Sequence, residues 1–144
     1  MTIKQLSVFV ENRPGRLSAI TGILGSAGVN IRAITTADTK DFGILRLIVD
    51  DAEKAVSALK EAGSIVTVTP VLAVIANDTP GGMAGMMEVL YKDNISVEYM
   101  YSAFLNPSDA TACLILRVDS NDAAVTALEE AGYKLLSDEE LTRF

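Results

Sequence analysis

The chain has 144 residues and a formal net charge of −7, and 49% of its residues are hydrophobic against 22% that are charged. These proportions are typical of a folded protein with one ordinary domain or two small ones. The acidity argues against nucleic acid as a partner, because phosphate contacts need clustered lysines and arginines. No apolar run approaches the roughly 20 residues of a membrane span, and no signal peptide opens the chain. We therefore expect a cytoplasmic protein that does not bind membranes.

Histidine is absent from the sequence, and Cys113 is its only cysteine. The commonest general base and the commonest metal ligand are therefore missing. A single cysteine forms neither an intrachain disulfide nor a paired-cysteine metal site. We predict that the protein is not an enzyme and holds no metal or cofactor. Cys113 stands in an apolar strand pattern, which predicts a buried thiol that packs as a small apolar side chain.

The first strand and helix of the chain are predicted from apolar spacing. Alternating apolar residues over Ile3–Val10 predict a strand, and helical spacing follows over Gly15–Ala27. Pro14 suits the first turn of that helix, and Gly28 suits the residue just past its end. A turn over 38–41 joins the next two strands. These strands, a second helix and a fourth strand are predicted at Val29–Ala37, Phe42–Val49, Ala52–Ala62 and Ile65–Thr69.

The same pattern then occurs a second time. Pro14-Gly15 returns 66 residues later as Pro80-Gly81, and Glu61-Ala62-Gly63 returns 69 residues later as Glu130-Ala131-Gly132. The difference predicts a three-residue insertion in the second copy, in the turn-forming stretch Asn106–Asp109. The chain is therefore predicted to be a duplication, with domains at residues 1–69 and 70–144.

The second copy supplies the same elements as the first. Its strands are predicted near Val71–Ala76, Ile95–Phe104, Thr111–Val118 and Tyr133–Leu136, and its helices near Gly81–Lys92 and Asn121–Ala131. The order βαββαβ in each copy predicts the α+β class, with two ferredoxin-like domains in tandem. Tyr99 and Tyr101 are expected on the strand face shared with Val97, where they either fill the core or line a ligand pocket.

The helix that begins after Pro14 is a candidate anion site. A helix start offers backbone N–H groups without partners and the positive end of the helix dipole. A glycine there lets an anion approach the backbone, so the N–H groups of Gly15, Arg16 and Leu17 are predicted to face a carboxylate.

Two asparagines flank the same helix in sequence. Asn12 and Asn30 are expected to converge on one pocket, where their amide oxygens would accept from an ammonium. Carboxylate and ammonium together describe a free α-amino acid. The alternative is that Pro, Gly and Asn only turn the chain here, because all three are common turn residues.

The run Glu11-Asn12-Arg13-Pro14-Gly15-Arg16-Leu17, followed by Gly28-Val29-Asn30-Ile31, resembles the signature of ACT domains, regulatory modules that bind amino acids. It is particularly similar to the serine-binding ACT domain of phosphoglycerate dehydrogenases. Counting both copies, the resemblance covers nearly the whole chain. It implies an amino-acid sensor whose ligand lies at an interface between ACT domains, usually within a dimer. The ligand-binding residues predicted on this basis are Asn12, Arg13, Pro14, Gly15, Arg16, Leu17 and Asn30.

The sequence departs from the resemblance at several positions. Val10 stands where the serine-binding relatives have a histidine, which favours a more apolar ligand than serine. In the second copy Asp78 replaces Asn12 and Ser96 replaces Asn30, and an acid at position 78 would repel a carboxylate held nearby. A weaker second site is predicted at Asp78, Pro80, Gly81, Gly82, Met83 and Ser96.

Together these features predict a non-catalytic regulatory protein, a homodimer that binds a small free amino acid at an ACT-domain interface. It would signal to a metabolic enzyme or regulator through conformational or oligomeric change. One alternative is a ligand-free oligomerisation or regulatory subunit of a metabolic enzyme, and another is an enzyme that turns over amino acids. RNA-recognition domains share the βαββαβ order, but neither Val29–Thr36 nor Phe42–Val49 has the aromatic and basic pattern that they need.

Overall fold

A computed structural model of the protein describes residues 1–38, 41–104 and 110–143. The elements of the first copy are β1 (Ile3–Glu11), α1 (Arg16–Ser26), β2 (Ile31–Asp38), β3 (Phe42–Val49), α2 (Ala52–Glu61) and the first part of β4 (Ile65–Asn77). Those of the second copy are the rest of β4, α3 (Gly82–Lys92), β5 (Val97–Ser102), β6 (Thr111–Val118), α4 (Asn121–Glu130) and β7 (Lys134–Leu135), followed by α5 (Asp138–Leu141). The predicted α+β fold with βαββαβ order in each copy is confirmed.

The chain divides into two compact units. The N-terminal unit is Lys4–Thr69, and the C-terminal unit is Pro70–Phe144 together with Met1–Ile3. The strand order is β2-β3-β1-β4 in the first unit and β5-β6-β4-β7 in the second, so both units have the same topology. The long strand β4 passes from one unit to the other at Pro70.

The direction of the strands decides where the ends of α1 lie. Both β1 and β2 pair antiparallel with β3, so β1 and β2 run in the same direction. The helix that connects them must therefore run back the other way. As a result, α1 begins at the end of the sheet where β1 finishes and ends where β2 starts.

One face of the N-terminal sheet packs against α1 and α2. Alternate residues of β1 and β3 point to this face, because strand side chains alternate. The helices contribute apolar residues at helical spacing. The buried residues of this core are Leu6, Val8, Val10, Ile20, Leu24, Val29, Leu45, Leu47, Val49, Ala55 and Leu59. Gly28, with φ 74°, ends α1 as predicted, and its N–H donates to the Gly25 carbonyl at 3.0 Å.

The C-terminal unit repeats this packing, with Met86 and Leu90 of α3 in its core. Its strand β5 carries a register shift between Val97 and Tyr99. Val97 and Met100 consequently both pack against the core. The expectation that Tyr99 and Tyr101 share a face with Val97 is wrong, because the bulge moves them to the opposite face.

Strands β5 and β7 of the C-terminal unit are shorter than predicted, whereas β6 has the predicted bounds. The Ile95 N–H closes the end of α3 by donating to the Leu90 carbonyl at 2.9 Å, so β5 begins only at Val97. The predicted insertion Asn106–Asp109 lies outside the described residues, as do Thr39 and Lys40 of the predicted turn. Among the described residues, no helix is long and apolar enough to cross a membrane.

Cys113 is fully buried, as predicted, and burial raises the pKa of its thiol to about 12 from an ordinary 9.0. We expect a disulfide exchange reagent to leave this thiol unreacted at pH 8 until the protein unfolds, because the thiolate is the reacting species. The check is to measure thiol reactivity and the circular dichroism signal of the fold over the same series of denaturant concentrations. A thiol that reacts without denaturant as fast as free cysteine would contradict this placement.

The same shift has a consequence for stability at high pH. Above pH 9 the thiol of the unfolded chain ionises while that of the folded protein stays neutral, so the free energy of unfolding falls as pH rises from 9 towards 12.

Candidate functional site

The chain turns tightly between β1 and α1. The Asn12 N–H donates to the Asp41 carbonyl at 3.0 Å, which ties this turn to the start of β3. The Arg13 N–H donates to the Glu11 carbonyl, also at 3.0 Å. Gly15 then takes the left-handed conformation with φ 87°, a region that favours glycine because it lacks a Cβ. The chain therefore enters α1 directly from a turn of backbone hydrogen bonds.

In the described part of the chain, no side chain caps the start of α1. The first backbone hydrogen bond of the helix runs from the Ala19 N–H to the Gly15 carbonyl, at 2.9 Å. The N–H groups of Leu17 and Ser18 come before it and have no acceptor within the helix. The start of α2 differs, because the Asp51 carboxylate accepts from the Lys54 N–H at 3.1 Å. The start of α1 therefore leaves the N–H groups of Leu17 and Ser18 without an acceptor inside the helix.

The N–H of Arg16 departs from the sequence prediction. It donates to the Arg13 carbonyl, although the distance of 3.4 Å makes this a long hydrogen bond. Of the three N–H groups expected to face a carboxylate, Arg16 is therefore the one already engaged by the turn. Its side chain instead lines the cavity beside the turn.

A cavity of about 220 Å³ opens beside the start of α1. It is lined by Val10, Glu11, Asn12, Arg13, Arg16, Leu17, Thr36 and Gly43. The cavity lies entirely within the N-terminal unit, where β1 and β2 end and β3 begins. Four of the seven residues predicted to bind ligand take part in this lining.

The charged side chains in the described lining of the cavity are the ion pair Glu11–Arg13 and the neighbouring Arg16. Arg13 Nε pairs with Glu11 Oε2 at 3.0 Å, and both side chains are exposed. Arg16 Nε is buried and has no hydrogen-bond partner among the described residues. A buried guanidinium donor without an acceptor is costly, so this atom marks a place where an anion would be stabilised.

Asn30 lies elsewhere in the unit. Glu11 pairs with Phe42 at one end of β3, whereas Ile31 pairs with Val49 at the other. Eight residues of β3 separate these ends by about 24 Å. Asn30 instead exchanges hydrogen bonds with Asp50, donating its N–H to Oδ1 at 2.9 Å and accepting from the Asp50 N–H at 3.1 Å. The expectation that Asn12 and Asn30 converge within one domain is wrong.

The spacing of the motif does not predict Thr36 or Gly43 as site residues. It includes Glu11 only as part of the family signature. Thr36 and Gly43 are far from the Pro-Gly turn in sequence and reach the cavity through strand register. Gly43 pairs with Val10 on one side and with Asp38 on the other, so the ends of β1 and β2 flank the start of β3 at the same end of the sheet. The βαββαβ order predicts that these strand ends lie together, but only the register of the strands identifies Thr36 and Gly43.

The described residues hold no cluster of three or more His, Cys, Asp or Glu side chains that would suit a metal ion. What the cavity offers is therefore a set of hydrogen-bond donors and charges. Its positive groups lie at the helix start, and Glu11 contributes a carboxylate to the described part of its lining.

The sequence pattern of the ACT domain pair matches residues 1–144. The chain belongs to this family. ACT domains are regulatory ligand-binding modules, and the resemblance seen in the Pro-Gly motif is confirmed. Among curated proteins, no sequence matches the chain.

Solved structures share the ACT pair architecture. Protein BT0572 from Bacteroides thetaiotaomicron is 36% identical, with a TM-score of 0.93, and the match covers 100% of this chain and 98% of that one. The ligand-free regulatory subunit of aspartate kinase from Thermus thermophilus is 18% identical, with a TM-score of 0.63 and coverage of 90% and 92%. The corresponding subunit from Thermus flavus is 16% identical, with a TM-score of 0.62 and coverage of 89% and 91%.

The second ACT domain repeats the open helix start. Gly81 has φ 83°, and no side chain caps α3 within the described residues. The Asp78 N–H donates to the Ala110 carbonyl at 3.0 Å, as Asn12 does to Asp41. Ser96 exchanges hydrogen bonds with Asp119, at the opposite end of β6 from Asp78. Asp78 and Ser96 are therefore as far apart as Asn12 and Asn30.

The turn before α3 is more crowded than the turn before α1. A Cβ placed on Gly82 would overlap the carbonyl oxygen of Asn77. The equivalent residue of the first ACT domain is Arg16, so the two turns follow different paths. In the second domain a carbonyl oxygen occupies the space beside the helix start, and Thr79 and Gly82 replace the arginines at positions 13 and 16.

This crowding predicts the effect of Gly82→Ala. We expect a loss of about 1–3 kcal/mol in the free energy of unfolding, because the added methyl group must displace backbone. The control is Gly22→Ala within α1, where a Cβ meets nothing within 4 Å and helix propensity favours alanine by about 1 kcal/mol. Urea denaturation of both variants measures the difference. Equal stabilities would show that the Asn77 carbonyl does not restrict this position.

Proposed function

We propose that this ACT domain pair is a non-catalytic regulator that binds a small free amino acid at the start of α1. The observation that carries the proposal is the uncapped start of α1 beside a cavity that Arg16 lines, together with the buried Arg16 Nε, which has no hydrogen-bond partner among the described residues. A carboxylate there would accept from the N–H groups of the first turn and from the guanidinium, and would also gain from the helix dipole.

The size and lining of the cavity favour an amino acid of modest size. About 220 Å³ is less than the roughly 300–1,000 Å³ of pockets for drug-sized ligands. Val10 is buried and Leu17 is 47% exposed, so the side chain of the ligand would meet apolar surface. Thr36 adds one hydroxyl to the lining. We therefore favour an apolar or weakly polar amino acid over a charged one.

The first ACT domain is the proposed binding domain. It has two arginines beside the helix start, whereas the second domain has Thr79 and Gly82 there and adds the acid Asp78. Since like charges repel at short range, Asp78 disfavours a carboxylate at the start of α3. Pro80, Gly81, Gly82 and Met83 then keep the left-handed glycine entry to the helix without the charge that would hold the ligand.

Asn30 fits this proposal only through a second copy of the chain. Its place at the far end of the sheet keeps it from a ligand bound beside Asn12 of the same domain. In a homodimer that brings two ACT domains together, Asn30 of one copy would reach the ligand of the other. We propose such a homodimer, with binding coupled to the association of the two copies.

The proposed partner is a metabolic enzyme or regulator in the cytoplasm. Two of the similar structures are regulatory subunits of aspartate kinase, which supports control of amino-acid metabolism as the setting. The ligand would act through a difference in affinity between two arrangements of the protein, because only such a difference shifts their equilibrium.

A ligand-free oligomerisation subunit is the second candidate, and one surface favours it. Phe9, Phe42, Ile44 and Ile65 in the N-terminal unit are large apolar residues that are between 37% and 68% exposed. The rings of Phe9 and Phe42 stack with their centroids 5.1 Å apart. An exposed apolar surface of this kind is a common feature of protein interfaces.

A thermal-shift screen against the twenty standard amino acids tests the proposal. At 100 times its dissociation constant, a ligand adds about 2.7 kcal/mol of stability, which corresponds to a rise of about 5–10 °C in the melting temperature. Arg16→Ala should abolish the rise in melting temperature. The control is Arg143→Ala, which removes an exposed arginine paired with Glu139 and should retain the rise. No shift with any amino acid would favour the ligand-free subunit.

The difference between the ACT domains predicts the stoichiometry. We expect isothermal titration to give one ligand per chain, because only the first domain has Arg13 and Arg16 beside its helix start. Two equivalent sites per chain would contradict the assignment to the first domain. Thr79→Arg, which restores one cation in the second domain, is not expected to create a site while Asp78 remains.

A further inference from the structure

The Glu11–Arg13 ion pair lies in the wall of the cavity at the start of α1. Both residues line the cavity, and Glu11 Oε2 lies 3.0 Å from Arg13 Nε. The two are also joined through the backbone, since the Arg13 N–H donates to the Glu11 carbonyl. The tight turn therefore holds a carboxylate and a guanidinium side by side where the ligand would enter.

This ion pair is easily opened. The side chains of Arg13 and Glu11 are 62% and 53% exposed, so water and salt screen their attraction. Exposed pairs of this kind contribute little to stability. A ligand that replaces their contact with contacts of its own therefore meets little opposition.

The charges of the cavity are unbalanced for a zwitterion unless Glu11 takes part. Arg13, Arg16 and the helix start are all positive, and they attract the carboxylate of the ligand. The ammonium of an α-amino acid is attached to the same carbon as that carboxylate, so it approaches the same cations. Among the lining residues that the structure describes, Glu11 is the one with an acidic side chain. The amide of Asn12 is a neutral acceptor and offsets less of this repulsion.

We propose, on the basis of the function proposed above, that the amino acid opens the Glu11–Arg13 pair and binds to both halves. Arg13 turns to the ligand carboxylate, and Glu11 turns to the ligand ammonium. Glu11 is thereby the residue that makes the site select α-amino acids over carboxylic acids that lack the amine. The second ACT domain has Asn77 and Thr79 at the equivalent positions and lacks this pair.

The test compares each amino acid that binds with the acid that lacks only its α-amino group, such as L-alanine with propionate and L-valine with isovalerate. Isothermal titration at low salt gives the ratio of the two affinities. We expect the wild type to prefer the amino acid by about 10- to 100-fold, the range for a hydrogen bond between charged groups. Glu11→Gln should lower this preference about tenfold.

The matched control is Glu98→Gln, which removes a similar ion pair with Arg117, at 3.3 Å, in the other unit. This variant should keep the preference of the wild type. Glu11→Asp should keep part of it, because the negative charge remains.

The outcomes separate this inference from the proposed function. A Glu11→Gln variant that keeps the full preference for the amine would overturn the role of Glu11, even while Arg16→Ala still abolishes binding. If none of the twenty amino acids binds the wild type, both the proposed function and the role of Glu11 are wrong.

Discussion

The left-handed conformation of Gly15 is the constraint on which the candidate site depends. With φ 87° at this residue, the chain reaches α1 with no side-chain cap among the described residues, and the N–H groups of Leu17 and Ser18 keep no acceptor within the helix. Gly81 does the same for α3. The second helix of each domain begins differently, with Asp51 capping α2 and Ser120 capping α4. The first helix of each ACT domain thus has an open start and the second a closed one.

The two domains share this left-handed glycine before an uncapped helix and differ in the side chains around it. Arg13, Arg16 and Glu11 surround the start of α1, whereas Thr79, Gly82 and Asn77 stand at the equivalent places beside α3. The fold therefore supplies an uncapped helix start twice, and the side chains beside it differ between the two copies.

Much of the fold can be predicted from the sequence, because apolar spacing and the Pro-Gly and Gly punctuation are local signals. The duplication, the order βαββαβ and the end of α1 at Gly28 all follow from them. The bulge after Val97 cannot be predicted in this way, since one extra residue in a strand leaves no mark on composition. It reverses the faces of Tyr99 and Tyr101, which a strict alternation assigns wrongly.

The site was harder to predict, because it depends on how strands and helices connect. Motif spacing predicts Asn12, Arg13, Arg16 and Leu17, which do line the cavity. It does not show that α1 carries the chain to the opposite end of the sheet before Asn30. The direction of a βαβ connection contains that information, and so does the pairing of Ile31 with Val49. Thr36 and Gly43 were missed for the converse reason, since register alone brings them to the cavity.

The distance between Asn12 and Asn30 also bears on how a signal would arise. If both asparagines contact one amino acid, they must come from different domains, because β3 holds them about 24 Å apart within one. Binding would then favour the assembly that brings the two together, and that assembly would raise the affinity for the amino acid by the same factor. In such a site the charged residues would belong to one domain and the Asn30 amide to another. Ligand concentration would then be coupled to association, and neither domain would need to change its fold.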